Sequence, residues 1–340
     1  MKNTIPIKKE NILFIFSKNG ESRGYKQYLI DRYDFNENQI VHIDSYPTIQ
    51  KLESFKNTLK GIKFDLILAI GGGSVIDTGK VLSVFLDEHS NCDLKSLIQN
   101  PTKLDKSNKI ELHVFPTTAG TGAEVTQFAT IWDFENNKKY SLDHKSLLPD
   151  YYFLDNQFLD TLKNQELLNP LLDSISHAFE SLWNKNRNDD SIDYSLESLG
   201  LHKDNLKKIN SKFSNYGLEN MLLASNLAGK AINITRTSIA HSISYPLTAK
   251  YRIPHGLACS FTIPKILEYV SEDTVISKNA TLLNEVSNNL NKLELKDKVR
   301  AYLNEAIIEI PFEDFISKRS ENFIFKTKES DIRDFINLDN

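Results

Sequence analysis

Asp173 and His177 stand four residues apart in LLDSISHAFESLW, residues 171 to 183, whose apolar spacing predicts a helix. At that spacing both side chains leave one helix face. The same face carries apolar neighbours, so a polar pair there is costly unless it is satisfied. An ion pair, a hydrogen-bonded core histidine and half of a metal site all remain open. Two more of the eight histidines, His241 and His255, lie fourteen apart in SIAHSISYPLTAKYRIPHGLACSFTIP. Pro246 and Pro254 are expected to interrupt any continuous helix, so the chain can fold back and bring both imidazoles to the Asp173 face. One carboxylate with three imidazoles suits Fe(II), Zn(II) or another borderline divalent ion, with positions left open for water or substrate.

A second chemistry is written in AIGGGSVIDTGK, residues 69 to 80. It reads as strand, glycine turn, helix. A helix N-terminus offers unpaired N–H groups to an anion, Gly72 and Gly73 let a phosphate reach the backbone, and the Ser74 hydroxyl adds a donor. A tight turn capped by Ser74 explains the same residues, and the spacing is neither GxGxxG nor that of a P-loop. VFPTTAGTGAEVT, residues 114 to 126, also follows a strand and gathers Thr117, Thr118, Gly120, Thr121 and Gly122. Hydroxyls and N–H groups at the carboxyl end of a strand suit phosphates and ribose. Two such loops point to a dinucleotide lying across the carboxyl ends of a sheet.

The elements that must position these groups follow from periodicity. NILFIF (11 to 16), QIVHID (39 to 44), FDLILAI (64 to 70), IELHVFPTT (110 to 118) and QFATIWD (127 to 133) read as strands. Between several of them lie helical patterns, notably residues 48 to 62 and 74 to 86. Near-continuous apolar strands alternating with helices predict an open, largely parallel sheet. From about Gln157 the long patterns NPLLDSISHAFESLWN and GLENMLLASNLAGKAINI are helical and strands are scarce. The expectation is an α/β, Rossmann-like dinucleotide-binding domain over residues 1–157 and an all-helical metal and substrate domain over 158–340.

Bulk properties narrow the class. The chain has 340 residues, 40% of them hydrophobic and 25% charged, as in ordinary globular proteins. A net charge of -4 offers no electrostatic footprint for nucleic acid. The two cysteines, Cys92 and Cys259, form no CxxC pair and fit a reducing compartment. No apolar run approaches the roughly 20 residues that cross a bilayer, and the opening MKNTIPIKKENILFIF is too short in its apolar part for a signal-peptide core. A cytoplasmic protein without membrane or nucleic-acid partners is expected.

These segments, with SLLPDYYFLD, ENMLLASNLAGKA and AHSISYPLTAKYRIPHGLA, resemble in order and type the iron-dependent, group III alcohol dehydrogenases, related in fold to dehydroquinate synthase and glycerol dehydrogenase. The resemblance covers roughly residues 40 to 270. It implies that Asp173, His177, His241 and His255 ligate the metal, Fe2+ or alternatively Zn2+. It implies that Gly72, Gly73, Ser74, Asp77, Thr117, Thr118 and Lys139 face NAD(P)H. A small aldehyde or alcohol would be the substrate and a homodimer the assembly. Three departures stand out: Tyr245 replaces a histidine usual four residues after the third ligand, Ser17 and Lys18 stand where many members carry a ribose-binding aspartate, and the carboxyl-terminal part is short. Together with ITRTSIAHSISYPLT and HAFESLWNKN, Tyr245 is similar to the phosphonoacetaldehyde reductase branch, which reduces 2-phosphonoacetaldehyde to 2-hydroxyethylphosphonate. Tyr245 would then serve as a proton relay or a pocket wall. Arg236, five residues before His241, could grip a phosphonate or simply close a helix, with Lys185, Arg187, Lys250 and Arg252 as further cations. A dehydroquinate synthase-like lyase would share fold, dinucleotide and metal, but its own motifs are absent.

Overall fold

The computed structural model of the chain describes residues 11–17, 20, 22–25, 27, 40–43, 46–86, 93–104, 109–136, 138–209, 211, 213–303 and 310–338. Lys18, His89 and Cys92 lie outside the described residues. The chain divides into two compact units, one of Met1–Thr118 with Ala123–Thr161, the other of Ala119–Gly122 with Leu162–Asn340.

The first unit holds a five-stranded parallel sheet built from β1 (Ile12–Ser17), β2 (Ile40–Ile43), β3 (Leu66–Gly71), β4 (Glu111–Pro116) and β7 (Tyr151–Tyr152), in the order β2-β1-β3-β4-β7. Every residue of Ile12–Phe16 and Leu66–Ile70 is fully buried, the signature of strands covered on both faces. Helix α1 (Ile49–Thr58) starts where the Thr48 hydroxyl accepts from the Lys51 N–H at 3.2 Å. Helix α2 (Gly73–Phe85) begins directly after β3, and no side chain caps it, since its N-cap is Gly72 rather than Ser74. Helix α3 (Leu94–Gln99) follows, capped by Asp93.

QFATIWD is a strand but not a member of that sheet. As β5 (Phe128–Asp133) it pairs antiparallel with β6 (Lys138–Asp143) in a separate two-stranded sheet. The short link between them suits a hairpin and cannot span a parallel crossover. Its alternating burial fits one covered face, not two.

The second unit is helical. Its site-bearing elements are α4 (Asn164–Leu182), α5 (Asp189–Lys208), α6 (Asn215–Thr235), α7 (Ile239–Tyr251) and α8 (His255–Ser260), followed by shorter helices to Phe335. Asn188 and Ser191 close a reciprocal cap on α5, and the Ser214 hydroxyl accepts from the Gly217 N–H on α6. Pro246 does not interrupt its helix, contrary to the expectation from sequence: α7 runs through it to Tyr251. The reversal comes six residues later, at Arg252, in the left-handed conformation with φ 59°, and at Pro254, the N-cap of α8.

The glycines of the second loop also answer to packing. A Cβ on Gly120 would fall 2.7 Å from the Pro170 Cα in α4. Gly122 has φ +59°, and its Cβ would meet the Gly229 Cα of α6 at 2.4 Å. Close helix contact requires a glycine at both positions.

Candidate metal centre and dinucleotide loops

Three imidazoles converge on one carboxylate oxygen. The Nε2 atoms of His177, His241 and His255 lie 3.5, 3.4 and 3.8 Å from Asp173 Oδ1. Helix α4 supplies Asp173 and His177 one turn apart, α7 supplies His241, and the first residue of α8 is His255. Gly256 makes the last approach possible, because a Cβ there would sit 2.0 Å from the Asn169 carbonyl oxygen of α4. The His177 and His241 rings stack at 4.8 Å, and His255 stands nearly perpendicular to His241 at 5.1 Å. Asp173, His177 and His241 are buried, whereas the His255 side chain is 37% exposed and marks the open side of the cluster.

The donor set fits a divalent ion. Ligands about 2.1 Å from a tetrahedral centre stand about 3.4 Å apart, close to the spacing seen here. Asp173 Oδ1, His241 Nε2 and His177 Nδ1 are buried with no hydrogen-bond partner among the described residues. A buried polar atom left without a partner ordinarily costs about 1–3 kcal/mol, and the facing lone pairs of Asp173 Oδ1 and His241 Nε2 are what a cation between them would satisfy. Burial alone would raise the Asp173 pKa, but the charges of His177, His255 and His241 and the His241 contact hold it well below the carboxylate range. Burial pushes His177 down toward the neutral form that binds metal.

Two residues that sequence reasoning passed over complete the site. Glu180, fully buried, lies seven residues after Asp173 and three after His177, on the same stripe of α4. Its Oε2 is 2.5 Å from His241 Nδ1, and its Oε1 accepts the His241 backbone N–H at 3.0 Å. Burial opposes its ionisation, and these contacts with His241 outweigh that, so its pKa is lowered. The i, i+4 and i+7 spacing of Asp173, His177 and Glu180 was the available signal. Cys259, one helical turn after His255, is buried with its Sγ 3.8 Å from both ring nitrogens of His255.

The other expected residues are distributed as follows. Tyr245 lies against the cluster, its ring parallel to His255 at 5.9 Å and 6.4 Å from His241. Arg236 ends α6 with φ 64°, and its Nη1 donates to the Asn233 carbonyl of its own helix. Arg187 makes a bidentate pair with Asp273, and Lys185 Nζ donates to the Glu321 carbonyl. In the first unit the β3–β4 register sets Gly71 beside Pro116, and Thr117 N–H donates to the Gly71 carbonyl at 3.0 Å. A Cβ on Gly72 would meet Thr118 Oγ1 at 3.0 Å, so the GGGS and PTT turns share one surface at the uncapped start of α2. Asp77 is occupied internally: Oδ2 accepts the Thr130 N–H at 2.9 Å and Oδ1 meets Lys80 Nζ at 3.4 Å. Lys139 Nζ lies 5.5 Å over the Trp132 ring. Thr121 is exposed and belongs to the second unit.

The family model described as iron-containing alcohol dehydrogenase matches residues 2–156, and that for the C-terminal part of the Fe-containing alcohol dehydrogenase family matches residues 169–318. A phosphonoacetaldehyde reductase of Streptomyces viridochromogenes is 30% identical over 234 residues, covering 68% of this chain and 59% of that protein. An aldehyde-alcohol dehydrogenase of Streptococcus pneumoniae is 27% identical over 72% of this chain and 29% of its own length. The match thus spans well under two thirds of these relatives. Among solved structures, sulfoacetaldehyde reductase from Bifidobacterium kashiwanohense in complex with NAD+ superposes with a TM-score of 0.87 at 19% identity, covering 96% of this chain and 90% of that one. Iron-containing alcohol dehydrogenase from Thermotoga maritima superposes at 0.76 and 23% identity, covering 96% and 90%. At those identities the structural likeness is one of fold. No helix among the described residues is long and apolar enough to cross a membrane.

Proposed function

The chain belongs to the iron-containing alcohol dehydrogenase family, and from that premise we propose that it is an oxidoreductase interconverting a small aldehyde and its primary alcohol with NAD(P)H. The observation that carries this reading is the convergence of three imidazole nitrogens on Asp173 Oδ1. A divalent ion held by Asp173, His177, His241 and His255, iron by family and zinc by ligand chemistry, supplies a Lewis acid for a carbonyl oxygen. Glu180 accepts from His241 Nδ1, which fixes the tautomer and leaves the Nε2 lone pair for the ion. The half-exposed His255 leaves one side of the cluster accessible to substrate. Tyr245, parallel to His255, walls that side and offers its hydroxyl as a proton donor to an alkoxide. In the first unit the backbone around Gly72, Gly73 and Ser74, with the Thr117 and Thr118 hydroxyls, binds the dinucleotide's phosphates at the positive end of α2.

The finer reading is reduction of 2-phosphonoacetaldehyde, supported by the 30% identity to the Streptomyces reductase and by Tyr245. Arg236, five residues before His241, is the candidate for the phosphonate, since a planar guanidinium matches two phosphonate oxygens at once. Strand β1 ends at Ser17, where an aspartate would repel a 2′-phosphate, so NADPH is accepted at least as well as NADH.

Metal analysis combined with NADH and NADPH oxidation against an aldehyde panel tests both levels. The expected result is one divalent ion per chain, activity lost on chelation and restored by ferrous iron, and no bound ion in Asp173→Ala. Full occupancy and turnover in Asp173→Ala would overturn the metal assignment. Arg236→Lys is expected to cost about 1.5–3 kcal/mol in kcat/KM for phosphonoacetaldehyde and little for an uncharged aldehyde of similar size. Equal losses on both would remove the phosphonate reading and leave the family activity standing.

A further inference from the structure

A buried thiol is ordinarily a small apolar filler. Cys259 is placed differently. Its Sγ, Asp173, His241 and His255 each offer a ligand atom within 4.8 Å of the other three. Two atoms of that group, Asp173 Oδ1 and His241 Nε2, belong to side chains nine-tenths or more buried and have no hydrogen-bond partner among the described residues. The sulfur is equidistant from both ring nitrogens of His255, which is poor geometry for a hydrogen bond to either. It lies one turn along α8 from His255, so the helix that delivers the third histidine delivers the thiol to the same place.

We propose that Cys259 is a metal-binding residue, completing with Asp173, His241 and His255 a second donor set that exchanges the His177 nitrogen for sulfur. The two sets share three ligands. One is nitrogen- and oxygen-only, and the other carries a soft donor suited to zinc or cobalt over ferrous iron. Binding forms a metal–sulfur bond and releases the thiol proton to solvent, and no electrons move. The chain can therefore hold a thiophilic ion in a geometry that its histidines alone would not favour, and Cys259 tunes which metal the protein retains. This rests on the reading of the Asp173 cluster as a metal centre.

Cobalt(II) loaded into the full-length protein separates the two claims. Visible d–d absorption reports an ion in the cluster, and a near-ultraviolet thiolate-to-cobalt charge-transfer band reports sulfur on it. The wild type is expected to show both. Cys259→Ala and Cys259→Ser are expected to keep the visible bands and lose the near-ultraviolet one, whereas His177→Ala keeps both. Competition between zinc and ferrous iron should shift toward iron by about tenfold in Cys259→Ala, the scale on which metal-site neighbours act. Visible bands with no charge-transfer band in the wild type would overturn the thiolate ligand and leave the metal centre intact. Absence of all bands would overturn both. Because the wild-type spectrum alone distinguishes these outcomes, the test survives a variant that fails to fold.

Discussion

Among the described residues each unit buries an ionic cluster whose partners can be counted, and these two are satisfied in opposite ways. In the first, Lys80 is fully buried, yet its ammonium reaches the Asp77 carboxylate, Thr126 Oγ1 at 2.9 Å and the Phe128 carbonyl at 2.9 Å. Three donors meet three acceptors, and Asp77 spends its second oxygen on the Thr130 N–H. That network ties α2 to the β5 hairpin, and every Lys80 proton and both Asp77 oxygens have a partner in it. In the second, Asp173 Oδ1 and His241 Nε2 face each other at 3.4 Å with neither hydrogen-bonded. A closed polar network holds a fold together; an open one, with its donors converged, is built for a ligand. Burial and charge are common to both clusters, and only the count of unmet atoms tells them apart.

The comparison breaks first at Lys80. Lys80→Met leaves Asp77 buried without its cation, a change that typically costs about 3–5 kcal/mol. Urea unfolding should register that loss. The metal-free form of Asp173→Asn should stay within about 1 kcal/mol of wild type, because an open cluster contributes little without its ion. What Asp173→Asn forfeits is stabilisation by added metal, about 2.7 kcal/mol at a hundredfold excess over Kd. Equal costs in the metal-free proteins would mean that Asp173 is part of the scaffold, as Lys80 is.

A smaller effect is expected at Glu180, which sharpens the second cluster. Glu180→Gln retains an acceptor for the His241 N–H but no longer holds the ring by a carboxylate. Metal affinity should fall by about 10- to 100-fold, as for other carboxylates behind a metal-bound histidine. The circular dichroism of the metal-free protein should be unchanged. Unaltered affinity would reduce Glu180 to a helix contact.

Much of this architecture was legible in local pattern. The unbroken apolar runs at Ile12–Phe16 and Leu66–Ile70 announce doubly covered strands, and Asp173 and His177 announce one helix face. What local pattern could not carry was the choice of distant partners. QFATIWD has a strand's composition whether it pairs within the main sheet or with Lys138–Asp143. Pro246 ought to break a helix, but the packing of α7 outweighs the hydrogen bond it removes. Gly120 and Gly122 have a packing reason to be glycines that appears only when Pro170 and Gly229 are seen against them. Glu180 and Cys259 carry ordinary helical spacing and acquire meaning only where α4, α7 and α8 meet.

The subtlest test lies at His202, a buried group between the two extremes. It is fully buried in α5, with Nε2 2.7 Å from Ser174 Oγ and Nδ1 lacking a partner among the described residues. Nδ1 is orphaned like His241 Nε2, yet no group of metal donors among the described residues includes His202. An orphan atom without convergence should be a liability, not a site. Burial pushes its pKa down to about 3 from an ordinary 6.5. The folded state thus excludes a proton that the unfolded chain accepts. Its contribution to stability is complete above pH 6.5 and is lost as pH falls from there toward about 3. At pH 5.5 the loss from this residue is about 1.4 kcal/mol, one pH unit below the unfolded value. His202→Gln keeps a polar atom for Ser174 and cannot titrate, so its stability should decline less between pH 7 and 5.5 by that amount. Urea midpoints of the two proteins across this range give the difference directly, other histidines cancelling between them. Parallel pH profiles would show that His202 takes its proton without penalty, and an unmet nitrogen would then cease to distinguish a ligand from a core residue.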